Sequence, residues 1–134
     1  MPIKKGVKVL VSEAEAQITS ITAKKAIECH GKENFVFVDI RDIRELERDG
    51  MVPDAFHAPR GLLEFWVDPD SPYFKEIFNS DEKTYIFYCA SAWRSALATK
   101  AMEDMGMTNV MHFSEGLRGW KEAGGPIAEK NRKA

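Results

Sequence analysis

The sequence predicts an α/β fold, a parallel sheet covered by helices on both faces. Three observations lead there. Continuous, β-rich apolar runs occur at FVFV (35–38), YIFY (85–88) and, more loosely, NVMHF (109–113), as strands buried on both faces require. Helical stretches that close at glycine separate these runs, so strand and helix alternate along the chain. At 134 residues there is length for one such core and too little for two ordinary ones, so residues 1–134 are read as a single domain.

In chain order, the short apolar run 7–11 precedes Ser12-Glu-Ala-Glu15, whose hydroxyl and carboxylate have capping-box spacing, so a helix is predicted to start at Ser12. Ile18, Ile21, Ala26 and Ile27 continue an apolar face, and the hydroxyl cluster from Thr19 to Thr22 divides it into two helices before Gly31. Cys29 falls in the second as a small buried hydrophobe. After the 35–38 strand come helices at 42–48, closing at Gly50; at 95–105, closing at Gly106; and at 117–123, closing at Gly124-Gly125. The connection 61–81, GLLEFWVDPDSPYFKEIFNSD, carries Phe65, Trp66, Tyr73, Phe74 and Phe78 and is read as short helices and proline-bounded turns. Its aromatics read as satellite core, or as a cover over a site.

Composition narrows the function classes. A net charge of −2, from 19 basic and 21 acidic side chains, gives no long-range attraction for phosphate backbones or anionic membranes, so neither nucleic acid nor a membrane is an expected partner. The basic clusters Lys4-Lys5 and 130–133 sit at the ends and read as solvated tails. No apolar run approaches the ~18 residues of a membrane span, and the first ten residues lack a signal-peptide core, so a cytoplasmic location is expected. There Cys29 and Cys89 stay reduced and unpaired. Three histidines without an i,i+4 pair, and no Cys-x-x-Cys, predict no metal and no cofactor. Gly116-Leu-Arg-Gly119 lacks the third glycine and the lysine of a phosphate loop.

The chemistry concentrates in YIFYCASAWRSA, 85–96. In parallel sheets ligands sit beyond the carboxyl ends of the strands, and Cys89 is at one. A free thiol, with pKa near ~8.5, becomes a strong nucleophile where positive potential stabilises its thiolate. Ala90, Ser91 and Ala92 are small enough for the backbone to curl its N–H groups around the sulfur. The helix that starts near Arg94 and Ser95 adds its dipole, and Arg94 adds a guanidinium. Trp93 is too bulky for that cradle and is predicted to form a pocket wall, set against Trp66. Arg60, ahead of the aromatic segment, is a candidate for attracting an anionic substrate. His57 and His112 read as packed or surface histidines.

With these residues the chain resembles the rhodanese-like sulfurtransferases. Val38-Asp-Ile-Arg41 followed by Glu45 is similar to the family's opening strand and helix. Gly50-Met-Val-Pro-Asp-Ala55 with Pro59 is similar to its Gly-His-Ile-Pro-Gly-Ala…Pro segment, the stretch from Cys89 to Arg94 to its active loop, and Glu115-Gly-Leu-Arg-Gly-Trp120 with Gly124-Gly-Pro126 to its closing helix. The match runs in order over about 35–127. It implies a central parallel five-stranded sheet with helices on both faces. It also implies a cysteine, Cys89, that accepts a sulfane sulfur as a persulfide and passes it to a nucleophile. Arg94 and the amides of Ala90 to Trp93 would then stabilise the negative sulfur. The partners implied are a small sulfane-sulfur donor such as thiosulfate and a thiol, cyanide or protein acceptor.

Some positions depart from the pattern. Met51 and Asp54 replace the usual His and Gly, and Ala92 stands where many active loops carry Gly, a strain of about 1 kcal/mol or more if a positive φ is needed there. Asp39 and Arg41 read as a structural pair under the loop. A cell-cycle-type cysteine phosphatase is the nearest alternative enzyme, but its pattern has five residues between cysteine and arginine, and here there are four, Ala90 to Trp93. The shorter loop suits one sulfur atom and is tight for a tetrahedral phosphate; arsenate reduction meets the same difficulty. A non-catalytic rhodanese-like binding or regulatory module is the other class, expected if Cys89 is buried behind Trp93 and Trp66.

Overall fold

The computed structural model describes residues 1–131, and the basic run 130–133 extends past them. A helix α1 (Val7–Gln17) leads into a two-residue strand β1 (Ser20–Ile21) and helix α2 (Ala23–Cys29). Strand β2 (Phe35–Asp39), helix α3 (Ile43–Asp49) and a short strand β3 (Phe56–His57) follow. The 61–81 connection folds into a 3₁₀ turn (Arg60–Leu62), helix α4 (Leu63–Val67) and a second 3₁₀ turn (Glu76–Phe78). Strand β4 (Thr84–Tyr88), helix α5 (Trp93–Asp104), strand β5 (Val110–Phe113) and helix α6 (Gly116–Glu122) complete the described chain. No helix among the described residues is long and apolar enough to cross a membrane.

All five strands are parallel, in the order β1-β5-β4-β2-β3, so the two central strands β4 and β2 have the longest register, Phe35 opposite Thr84 through Asp39 opposite Tyr88. Both edges, β1 and β3, are two residues long. They carry no apolar run of their own and owe their existence to pairing, Ser20 with His112 and Val38 with Phe56. Strand periodicity sorts the core into two layers. Val38, Tyr85, Phe87, Cys89 and Val110 face α4 and α5, packing with Leu63, Val67, Ala98 and Met102. Phe37, Ile86, Tyr88 and Phe113 face α2 and α6, packing with Ala23, Ala26, Cys29, Leu117 and Trp120.

The N-terminal helix corrects one expectation. It starts at Val7, with Gly6 as N-cap, and Ser12 lies in its middle. The reason is tertiary. Val11 and Ala14, three apart, bury against Ala96 of α5, with Ile18 and Leu97 beside them, so the run 7–11 is the first part of a helical face. The hydroxyl cluster does divide the next stretch, with Thr22 Oγ1 accepting from the Lys25 amide as the N-cap of α2.

Asp54 adopts φ 65°, the one positive value at a described residue other than glycine. It is the third residue of a turn closed by the Ala55 amide on the Val52 carbonyl, with Pro53 ahead of it, an arrangement that favours glycine at that position. Asp54→Gly is expected to raise stability by roughly 0.5–1 kcal/mol, because relief of left-handed strain outweighs the added chain entropy; a denaturant midpoint unchanged or lower would contradict this.

Candidate active site

Cys89 is the first residue past β4, turned towards α5 and fully buried. Its loop, 89–92, is held from behind by α6. The Leu117 amide donates to the Cys89 carbonyl at 2.9 Å and the Arg118 amide to the Ala90 carbonyl at 3.1 Å. A peptide unit is planar with N–H and C=O opposed, so engaging those carbonyls turns the N–H groups of Ala90 and Ser91 the other way. The approach is close enough that a Cβ on Gly116 would lie 2.5 Å from the Ser91 carbonyl oxygen and 2.6 Å from that of Ala90, and Gly116 has φ 61°. Among the described residues, none of the backbone N–H groups from Ala90 to Ser95 has a protein acceptor. The N-cap Ala92 also provides no side-chain cap for α5. A 12-residue helix therefore begins, uncapped, beside the thiol.

Ala92 reaches this shape with φ −178° and ψ −25°, so its φ lies in the extended range and the alanine carries no left-handed strain. Arg94, in the first turn of α5, forms a two-pronged ion pair with Glu45 of α3, at 2.8 and 2.9 Å. Glu45 also completes the α3 capping box with Asp42. The hydrogen bond from Glu45 and its charge raise the Arg94 pKa, with Cys89 contributing in the same sense, and the Arg94 hydrogen bond holds the Glu45 carboxyl below its usual 4.5. Both terminal nitrogens of Arg94 are thus engaged by a carboxylate. The guanidinium ties the loop to α3 instead of pointing an unpaired charge at the sulfur.

Under the loop lies the Asp39–Arg41 pair, both residues buried, at 2.7 Å, with a second Arg41 bond to the Gly50 carbonyl and the guanidinium over the Tyr88 ring at 5.8 Å. Removing one partner of so buried a pair costs about 3–5 kcal/mol, which makes these residues structural supports. The candidate pocket residues each have a partner within their own segment. Arg60 pairs with Glu64 at 2.7 Å. Trp66 stacks edge-on against Phe56 at 5.9 Å with the Lys75 ammonium over its ring. Trp93 is half exposed, and no aromatic pair joins it to Trp66 among the described residues. A cavity of about 250 Å³ that touches the loop is lined by Ala90, Arg41, Asp49, Leu117, Arg118 and Lys121.

One group that the sequence reading left as packing is the buried His112. Its Nδ1 is 2.8 Å from Ser95 Oγ, and Ser95 Oγ is 3.6 Å from the Cys89 sulfur. Burial pushes its pKa down to about 4, so the ring is neutral at ordinary pH. No local motif signals it. The register does, since Phe87 lies opposite His112 and Cys89 is two residues beyond Phe87 on the same face.

A model of the rhodanese-like domain matches residues 22–123, starting before the 35–38 strand where the sequence motifs begin and ending short of Gly124-Gly-Pro126. A solved structure from Rhodopseudomonas palustris, described as a protein of unknown function and "Possible Tyrosine Phosphatase", superposes with a TM-score of 0.92 at 48% identity, over 96% of this chain and 98% of that one. The "Dual specificity phosphatase Cdc25" of Arabidopsis thaliana is 27% identical over 82% of this chain and 77% of its own length. The "Putative sulfurtransferase YtwF" of Bacillus subtilis is 29% identical over 78% of this chain and 89% of its own.

Two outcomes follow from this geometry. Gly116→Ala should destabilise the protein by more than 1 kcal/mol, because the new Cβ meets backbone oxygens that cannot move without opening the 89–92 loop; a melting temperature matching the parent would contradict the contact. For Glu45, whose folded pKa is lowered, the stability contribution is present above about pH 4.5 and is lost as pH falls through the folded value. The stability difference between parent and Glu45→Gln should therefore be constant above that pH and shrink below it, as read from denaturant midpoints across an acid series.

Proposed function

Because the chain belongs to the rhodanese-like domain family, we propose that it is a sulfurtransferase that carries a sulfane sulfur on Cys89. The observation that carries this reading is the set of backbone N–H groups from Ala90 to Ser95 without a protein acceptor, on the loop that follows Cys89 and opens an uncapped helix. The Cys89 thiolate attacks the outer sulfur of a donor such as thiosulfate. The Cys89–sulfur bond forms, the donor's sulfur–sulfur bond breaks, and sulfite leaves with its electron pair. The loop amides hold the resulting persulfide anion as an oxyanion hole holds its oxygen. An acceptor thiolate or cyanide then attacks the terminal sulfur, and Cys89 departs as the thiolate. Arg94 serves as a positioning residue, fixing the first turn of α5 through Glu45. The groove lined by Arg118 and Lys121 lends positive potential for an anionic donor.

The phosphatase names of two relatives favour a second reading, phosphoryl transfer through the same cysteine. The four-residue spacing from Cys89 to Arg94 and the pairing of Arg94 with Glu45 weigh against it. A tetrahedral phosphate needs more room and an arginine with free donors. A binding module with an inert cysteine remains the non-catalytic contrast.

The experiment is to incubate the protein with thiosulfate, then weigh the Cys89 peptide and assay thiocyanate formation from cyanide. The expected result is one added sulfur on Cys89 and transfer that Cys89→Ser abolishes with its melting temperature within a few degrees of the parent. Transfer undiminished in that variant, or hydrolysis of an aryl phosphate without sulfur loading, would overturn the reading. A thiol that takes up no sulfur from any donor would favour the binding module.

A further inference from the structure

Among the buried titratable side chains that sulfur transfer as written above does not use is His112. It sits in the middle of a continuous line of polar atoms. Cys89 Sγ lies 3.6 Å from Ser95 Oγ, Ser95 Oγ 2.8 Å from His112 Nδ1, and His112 Nε2 2.9 Å from Ser20 Oγ. Cys89, Ser95 and His112 have no exposed surface, whereas Ser20 is exposed on the edge strand β1. Ser95 Oγ also lies 3.0 Å from the Ala92 carbonyl, an acceptor that competes for its single hydrogen, so rotation of the hydroxyl about its C–O bond sets whether that carbonyl, His112 or Cys89 receives it. Both ring nitrogens thus face hydroxyl groups, each of which can donate or accept.

We propose that Ser95, His112 and Ser20 form a proton outlet that sets the protonation state of Cys89 by switching the His112 tautomer. With the thiol protonated, S–H donates to Ser95, Ser95 donates to Nδ1, and Nε2–H donates to Ser20. When the thiol ionises, its proton moves to Ser95 Oγ, the Ser95 proton to Nδ1, and the Nε2 proton to Ser20 and solvent. One proton has left, no electrons have moved, and every partner has reversed its role. Ser95 now donates to the thiolate, Nδ1–H to Ser95, and Ser20 to Nε2. The ring stays neutral throughout, which its burial demands. The same hydroxyl hydrogen then steadies Cys89 when it departs as a thiolate in the second half of transfer. Ser95 contacts the reacting sulfur, and His112 acts through it as a positioning residue.

The charged groups near the loop are Arg94 with Glu45, from α5 and α3, the Asp39–Arg41 pair at the end of β2, and Asp49, Arg118 and Lys121 around the cavity beside Ala90. None is bonded to His112, which meets only the uncharged Ser95 of α5 and Ser20 of β1. Like the proposed transfer, this rests on Cys89 ionising in the loop, but its test does not need sulfur to move.

The test is a pH titration of ¹⁵N-labelled protein. Long-range proton–nitrogen correlations report which His112 nitrogen is protonated, and the ultraviolet difference from Cys89→Ser reports the thiolate. The expected result is a ring that is neutral throughout and passes from Nε2–H to Nδ1–H in step with thiolate formation, while Cys89→Ser keeps one tautomer. A constant tautomer during thiolate formation, or a doubly protonated ring, would overturn the proposal. In kinetics, His112→Asn keeps a donor near Ser95 but cannot exchange tautomers; persulfide formation should slow on the order of 10²-fold with the donor KM unchanged. If that variant does not fold, the titration of the parent protein decides alone. A tautomer switch without sulfur transfer would sustain the outlet and sink only the proposed activity; transfer without a switch would do the reverse.

Discussion

Two hydrogen bonds from α6 to the β4–α5 loop, Leu117 N–H to the Cys89 carbonyl and Arg118 N–H to the Ala90 carbonyl, are the constraint on which the site depends. A loop left to water would solvate its carbonyls and amides alike. By taking the carbonyls, α6 leaves the amides on the opposite side of the same peptide planes, and so builds a donor-rich wall without a basic side chain. This explains why position 116 is glycine: the chain approaches within a Cβ's width of the loop and does so at positive φ.

The charges around the loop act as ties. Arg41 holds Asp39, the Gly50 carbonyl and the Tyr88 ring, fixing the end of β2 to the end of α3. Arg94 and Glu45 join the first turns of α5 and α3, and the Glu45 carboxylate also reaches back to its own N-cap amide. With these positive charges already partnered, backbone dipoles of the loop and of the α5 N-terminus add to the potential beside Cys89. Such dipoles are held by the fold and cannot reorganise, which suits stabilisation of negative charge at that position.

The same arrangement bears on the neighbours whose names speak of phosphatases. What separates the two chemistries within one fold is the number of backbone amides and the room between cysteine and arginine, both properties of a few residues. Here the loop closes after four residues, its arginine is engaged by a carboxylate, and Ala92 completes the turn with an extended φ that needs no glycine.

The sequence by itself determined the central strands, the helix boundaries marked by Gly50, Gly106 and the Gly124-Gly125 pair, the α2 start at the hydroxyl cluster, and Cys89 at a strand end ahead of small residues. Each of these is a local signal, an apolar period, a cap or a change of side-chain size. The two-residue strands β1 and β3 were not legible, because they exist through pairing with β5 and β2 and not through any pattern of their own. The start of α1 was masked because Ser12 and Glu15 have capping-box spacing, and only α5 supplies the surface that draws Val11 into the helix. Only the tertiary structure decided that Arg94 faces Glu45, that Arg60 and Trp66 find other partners, and that His112 stands behind Ser95. Parallel strands join residues far apart in sequence, and which side chains meet across them is set by register, a quantity that no window along the chain contains.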